Sequence, residues 1–161
     1  MSKVLIPGSF DPLHNGHVDV VDQALELFGE VVFGVLVNFE KPSGLFTPEE
    51  RIELAVAAFA DRRGITVGAF DGLAIDVAAA VGADFIVKGL RSAADYDIEQ
   101  QMAHMNESSA GIRTVFVPCN PAYSFVSSRF IREIASHGGA IAHLVPAAVA
   151  AALTDKLSGG Q

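Results

Sequence analysis

The sequence predicts an α/β fold in which a five-stranded parallel sheet is covered by helices on both faces, and three features point to it. Strand-like and helix-like segments alternate along the whole 161-residue chain, the pattern of repeated β-α units. The strand-like segments are apolar runs rich in β-branched residues, such as EVVFGVLVN (30–38) and RTVFVP (113–118), as expected of strands buried on both faces. No internal repeat or linker interrupts the alternation, so residues 1–161 read as one domain.

The elements follow in order. Lys3–Pro7 is a short apolar strand, and after a polar loop Val18, Val21, Leu25 and Phe28 recur at helical spacing until Gly29 closes the helix. Glu30–Asn38 is the second strand and Phe39–Phe46 a loop. In Thr47-Pro48-Glu49-Glu50, Thr47 can cap, Pro48 takes the first helical position and Glu50 completes a capping box. Leu54, Ala55, Ala58 and Phe59 supply that helix with its inner face. Ile65–Phe70 is the third strand, Leu73–Val81 the third helix and Asp84–Lys88 the fourth strand. Ala93–Ala110 is a long helix stopped by Gly111, and Arg113–Pro118 is the fifth strand. Helices over Ser127–His137 and Pro146–Leu157 complete the chain, with 158–161 as a flexible tail. The result is a Rossmann-like domain, a class whose ligands bind beyond the carboxyl ends of the strands.

Composition removes several function classes. Half of the residues are hydrophobic, which excludes disorder. A formal net charge of −8 argues against sequence-independent binding to nucleic acid, which needs a basic surface. Cys119 stands alone, so there is no disulfide framework and no cysteine-based zinc cluster; a solitary thiol fits a reducing compartment. Met1-Ser2-Lys3 runs straight into a strand without space for a signal peptide, and the Ala-rich stretch 140–153 is broken by His143 and Pro146. The expectation is a soluble cytoplasmic protein without a membrane partner.

The chemically unusual residues fall where the fold places its ligands. Behind the first strand lies GSFDPLHNGH (8–17), in which Gly8 permits close backbone approach and Ser9 offers a hydroxyl. Gly16 and His17 open the next helix, where free N–H groups favour an anion. Simple capping by His14 and His17 is the plainer alternative, and Asp11, His14 and His17 could also converge on a metal, although no third-ligand spacing supports a dedicated zinc site. Lys41 follows the second strand. Lys88-Gly89-Leu90-Arg91 ends the fourth, placing two cations astride a glycine in an acidic protein; the alternative is a pair of surface charges matched by Asp95 and Asp97. After the fifth strand, Ser127 or Ser128 can cap a helix and face a second anion beside Arg129, while Tyr123 or Phe125 can cover a flat base. Together these loops describe a phosphate-rich cleft suited to a nucleotide. The terminal LSGGQ is a coincidence, since no GxxxxGK[ST] loop accompanies it, and no GxGxxG follows the first strand.

These residues carry a resemblance. PGSFDPxxxGH resembles the signature of the HxGH nucleotidyltransferase superfamily, and KGLR (88–91), QQMAHMN (100–106) and YSFVSS (123–128) narrow it to the bacterial phosphopantetheine adenylyltransferase family, over about residues 3–157. The resemblance implies transfer of the adenylyl group of ATP to 4′-phosphopantetheine, giving dephospho-coenzyme A and pyrophosphate. It implies His17, Lys41 and Arg91 as catalytic residues, with His17 stabilising the transition state. It implies contacts to ATP from Ser9, Phe10, His17, Gly89, Leu90, Arg91, Glu99, Tyr123, Ser124, Phe125, Val126, Ser127, Ser128 and Arg129, and to phosphopantetheine from Ser9, Lys41, Leu73, Ala74 and Lys88. Magnesium held by ATP phosphates and water, and a homohexamer, are implied as well. Four positions depart from the family pattern: His14 stands where many members have Thr, Lys88 where some have Arg, Ile98 where some have Tyr, and Arg129 where a small hydroxyl residue is usual. A phosphate nucleophile is anionic at neutral pH, so such a site needs in-line positioning and cations rather than a general base. Another HxGH transferase, using CTP with glycerol phosphate or ATP with nicotinamide mononucleotide, and a nonenzymatic nucleotide sensor are the alternatives.

Overall fold

The computed structural model describes residues 1–38, 40 and 43–158. Five parallel strands form one sheet in the order β3-β2-β1-β4-β5, with β1 at Ser2–Gly8, β2 at Gly29–Val37, β3 at Ile65–Asp71, β4 at Phe85–Leu90 and β5 at Arg113–Pro118. The helices are α1 (Asn15–Phe28), α2 (Pro48–Ala58), α3 (Ala74–Val81), α4 (Ala93–Ala110), α5 (Ser128–Ser136) and α6 (Ala147–Ser158). Each element lies where its pattern puts it, and the ends differ by a residue or two because side-chain period is blind to the last backbone hydrogen bond. Ser158 closes α6 rather than opening a tail, while 159–161 lie outside the described residues. Among the described residues no helix is long and apolar enough to cross a membrane.

The sheet sorts its side chains by alternation. Val4 and Ile6 of β1, with Val31, Phe33 and Val35 of β2, enter the larger core, which α1, α2, α5 and α6 cover. The intervening Leu5 and Val32 face the smaller cluster with Val77 and Ala78 of α3. Period-two alternation therefore fills both faces. Each helix start has a local cause: Thr47 accepts the Glu50 N–H while Glu50 returns to the Thr47 N–H at 2.7 Å, and Ser92 and Ser127 accept from Asp95 and Phe130 N–H. Gly111 ends α4 with φ +70°, a conformation that glycine adopts freely.

The topology also opens the sheet at one point. The chain runs from β1 through β2 to β3 on one side and then crosses back to β4 on the other, so β1 and β4 are adjacent without being consecutive. Their ladder holds at Val4↔Phe85 and Leu5↔Ile86 alone, whereas β1 stays in register with β2 from Ser2↔Gly29 to Gly8↔Val35. Beyond Leu5 the strands part, and the crevice expected at such a switch point lies between their carboxyl ends.

Candidate active site

That crevice is a cavity of about 330 Å³. Ile6, Pro7, Gly8, Ser9 and Phe10 line it from β1 and its loop, and Val87, Lys88, Gly89 and Arg91 from β4. His14, Gly16, His17 and Val20 close one side from the start of α1, and Asp95, Glu99, Cys119, Ser127 and Ser128 the rest. The glycines are where bulk is excluded. A Cβ at Gly16 would stand 3.1 Å from the His14 ring, and one at Gly8 2.8 Å from the tip of the Phe10 ring.

His14 caps α1, and it does so reciprocally with His17. The His17 N–H donates to His14 Nδ1 at 3.3 Å, and the His14 N–H donates to His17 Nδ1 at 3.2 Å. The rings stack with centroids 3.6 Å apart. An Nδ1 that accepts cannot carry a proton, so each neutral ring holds its hydrogen on Nε2. Neither Nε2 has a partner among the described residues, and neither belongs to the buried polar atoms left unpaired, so each reaches open space. Burial lowers His14 to about 4, with the nearby Arg91 cation adding to the shift. Burial, His14 and Arg91, in that order, hold His17 well below its ordinary 6.5. Two uncharged Nε2–H donors therefore stand beside a cationic wall. Capping and site architecture, alternatives in the sequence, are the same hydrogen bonds.

The cations are tethered. Lys88 Nζ lies 3.3 Å from Glu99 Oε1, and Arg91 forks onto Asp95 while donating to the Val126 carbonyl at 3.0 Å. Both groups are part-exposed toward the cavity, so these carboxylates hold them in place more than they stabilise the fold.

Of the residues singled out in the sequence, Ser9, Phe10, His17, Lys88, Gly89, Arg91, Glu99, Ser127 and Ser128 line the one cavity. The Phe10 ring is buried, stacking on Phe33 at 3.9 Å and meeting the His17 ring edge-on at 4.9 Å. The Ser128 hydroxyl donates to the Pro12 carbonyl at 2.8 Å. Leu90 and Val126 stand just outside the lining. The Leu90 carbonyl accepts the Cys119 N–H, and the Val126 side chain is in the core. Tyr123 packs on the core, the Ser124 hydroxyl turns to Pro121, Phe125 is 67% exposed, and Arg129 lies over the Phe130 ring. Leu73 is the N-cap of α3 and Ala74, its first residue, packs on the smaller core cluster, both outside the cavity lining. Lys41 lies outside the described residues.

The metal alternative does not assemble. Both carboxylate oxygens of Asp11 accept backbone N–H groups, from Leu45 at 2.8 Å and Phe46 at 2.9 Å. Among the described residues no group of three or more His, Cys, Asp or Glu could hold a metal ion. Sequence reasoning missed Asp95 and Cys119 in the wall, and Arg51 behind it. Arg51 did leave a signal, because it precedes Leu54 and Ala55 by three and four positions and so shares their buried face.

Comparison with known proteins agrees with this architecture. Residues 5–134 match the family model described as cytidylyltransferase-like. A Streptomyces coelicolor protein named phosphopantetheine adenylyltransferase is 45% identical over 157 residues, 98% of each chain. Proteins of the same name from Frankia alni (44% over 160 residues, 97% of this chain and 98% of that one) and Corynebacterium diphtheriae (41% over 157 residues, 98% and 99%) are similar too.

Proposed function

We propose, from the premise that this chain belongs to the phosphopantetheine adenylyltransferase family of cytidylyltransferase-like proteins, that it transfers the adenylyl group of ATP to 4′-phosphopantetheine. A phosphate oxygen of the acceptor attacks the α-phosphorus of ATP. The bond from that phosphorus to the bridging oxygen breaks, pyrophosphate leaves, and dephospho-coenzyme A remains. The observation that carries the reading is the meeting of His17 with Lys88 and Arg91 in one cavity at the sheet's switch point.

No group in the cavity needs to remove a proton from the nucleophile. His17 donates its Nε2 hydrogen to an oxygen on the α-phosphorus, where charge accumulates as the bonds exchange. Being neutral, it keeps that hydrogen through the cycle. Arg91 and Lys88 offset the charge of the phosphates, and Lys41 is assigned as a further cation by the family resemblance. The cavity's carboxylates, Asp95 and Glu99, are each engaged by a cation, which supports magnesium arriving with ATP, held by its phosphates and by water.

A homohexamer in the cytoplasm completes the reading. The 18-residue α4 has no buried residue, and Ile98, Met102 and Met105 are exposed along it, which supports a covered surface in the assembly. The lone free Cys119 supports a reducing compartment. The test is to incubate the protein with ATP, magnesium and one acceptor at a time, following pyrophosphate. Release with 4′-phosphopantetheine and not with nicotinamide mononucleotide supports the reading. No release with any acceptor leaves a nucleotide sensor. Light scattering tests the hexamer.

A further inference from the structure

A buried ion pair lies behind the cavity wall and touches no ligand-facing space. Asp11 and Arg51 are each 5% exposed, with Arg51 Nε 3.6 Å from Asp11 Oδ1. A charge pair this deep is costly unless its hydrogen-bonding capacity is filled, and here it is filled with backbone. Arg51 donates Nε to the Phe46 carbonyl at 2.9 Å, one terminal nitrogen to the Ser43 carbonyl at 2.6 Å and the other to the Ser9 carbonyl at 3.2 Å. Asp11 accepts the N–H groups of Leu45 and Phe46. One guanidinium therefore bolts the loop before α2 to the loop after β1. Gly44 makes room for it: at φ +113°, a Cβ there would strike both Asp11 and Arg51.

The consequence for the cavity comes from peptide geometry. In a trans peptide the C=O and the following N–H point in opposite directions. With the Ser9 carbonyl drawn back to Arg51, the Phe10 N–H is turned away from Arg51. Phe10 and Ser9 line the cavity and Arg51 does not. The Phe10 N–H has no hydrogen-bond partner among the described residues. Phe10 also holds φ +47°, in the left-handed region that a side chain disfavours, and such a conformation persists when its surroundings over-determine it. Here they do. Arg51 holds the Ser9 carbonyl, Arg132 the Asp11 carbonyl and Ser128 the Pro12 carbonyl.

We infer that Arg51, set by Asp11, is a positioning residue that fixes the Ser9–Phe10 peptide so that the Phe10 N–H faces the cavity as a donor to a phosphate oxygen of the nucleotide. This rests on the adenylyl-transfer reading for its substrate, and on hydrogen bonds alone for its geometry. A donor aimed in advance costs no reorganisation during reaction, and loss of one such donor lowers turnover by about 100-fold.

The experiment uses the full chain, labelled with ¹⁵N, and the variants Arg51→Lys and Arg51→Met. In the parent protein, MgATP without acceptor is expected to move the Phe10 amide proton downfield. In a variant that keeps the parent circular dichroism, that response is expected to vanish and kcat to fall about 100-fold, with the KM for 4′-phosphopantetheine unchanged. A folded variant that loses turnover but keeps the Phe10 response overturns the inference, as does one that keeps both. Should neither variant fold, the parent decides: a Phe10 amide indifferent to MgATP refutes the assignment, and one that moves supports it. Absence of adenylyl transfer in the parent refutes the function but leaves the amide measurement able to judge the geometry.

Discussion

His14 and His17 hold each other's ring by backbone hydrogen bonds, each Nδ1 accepting the other residue's N–H at 3.2–3.3 Å. This arrangement settles the tautomer of both rings before any ligand arrives. The residues are nevertheless unequal. Both rings line the cavity, but His14 is 4% exposed, whereas His17 is part-exposed and makes an edge contact with the Phe10 ring at 4.9 Å between centroids.

Replacing His17 with Ala is expected to reduce kcat by about 100-fold or more, as for loss of one preorganised donor. It also strips the His14 N–H of its acceptor, so helix α1 loses half of its capping box at a cost of about 1 kcal/mol. Pyrophosphate release and urea unfolding separate the two effects. Near-parental turnover in a folded His17→Ala protein would remove His17 from the mechanism.

The lowered histidine values carry a pH signature. The unfolded chain binds a proton at His14 below about 6.5, while the folded chain resists until about 4. Between these values the unfolded state holds more protons, so stability falls as pH drops through this window. Over the full window His14 accounts for about 3 kcal/mol, and His17 acts in the same direction. Urea unfolding at pH 7.5 and pH 4.5 measures the loss, and replacing His14 with Gln should flatten the slope. A parent protein equally stable at both values contradicts the burial argument.

Arg91 contributes charge to both histidines and holds the Val126 carbonyl. Arg91→Ala is therefore expected to raise the KM for ATP by about 10-fold, the loss of a charge-assisted contact, and to raise the titration midpoint of His14. Steady-state kinetics reads the first and the imidazole NMR signals the second. An unchanged midpoint would mean that Arg91 is screened from the ring.

Cys119 lines the cavity, and burial together with Asp19 pushes its thiol up. Alkylation by iodoacetamide should be slow at pH 7, quicken toward alkaline pH and be slowed again by bound ATP. Mass spectrometry of the modified chain follows all three. Labelling indifferent to ATP would place the nucleotide elsewhere.

Gly44→Ala forces a side chain into a φ of +113° and against the Asp11–Arg51 pair. The backbone alone costs about 1–3 kcal/mol, and displacement of the pair adds to it. Chemical denaturation gives the total. A loss under 0.5 kcal/mol, taken as about the size of an ordinary surface substitution, would mean that the loop shifts freely.

The order of elements, the caps at Thr47 and Ser127 and the two-faced strands were all legible in the sequence, because helical and strand periods, turn residues and capping chemistry act over a few neighbouring positions. So was the placing of GSFDPLHNGH and KGLR at the carboxyl ends of strands around one cleft, since repeated β-α units leave few topologies open, whereas the adjacency of β1 and β4 was not. Tertiary structure alone decided how those residues work. Which carbonyls Arg51, Arg91, Arg132 and Ser128 would hold could not be read, because every residue offers a carbonyl and nothing in residue type marks the chosen one. The pairing of Asp11 with Arg51 spans 40 positions, and the parting of β1 from β4 after Leu5 depends on how two non-consecutive strands meet. The sequence by itself determined that the loops after the first and fourth strands carry anion-binding groups, and folding decided which side chains line the cavity. The direction in which their hydrogens point came from contacts between segments that only folding brings together.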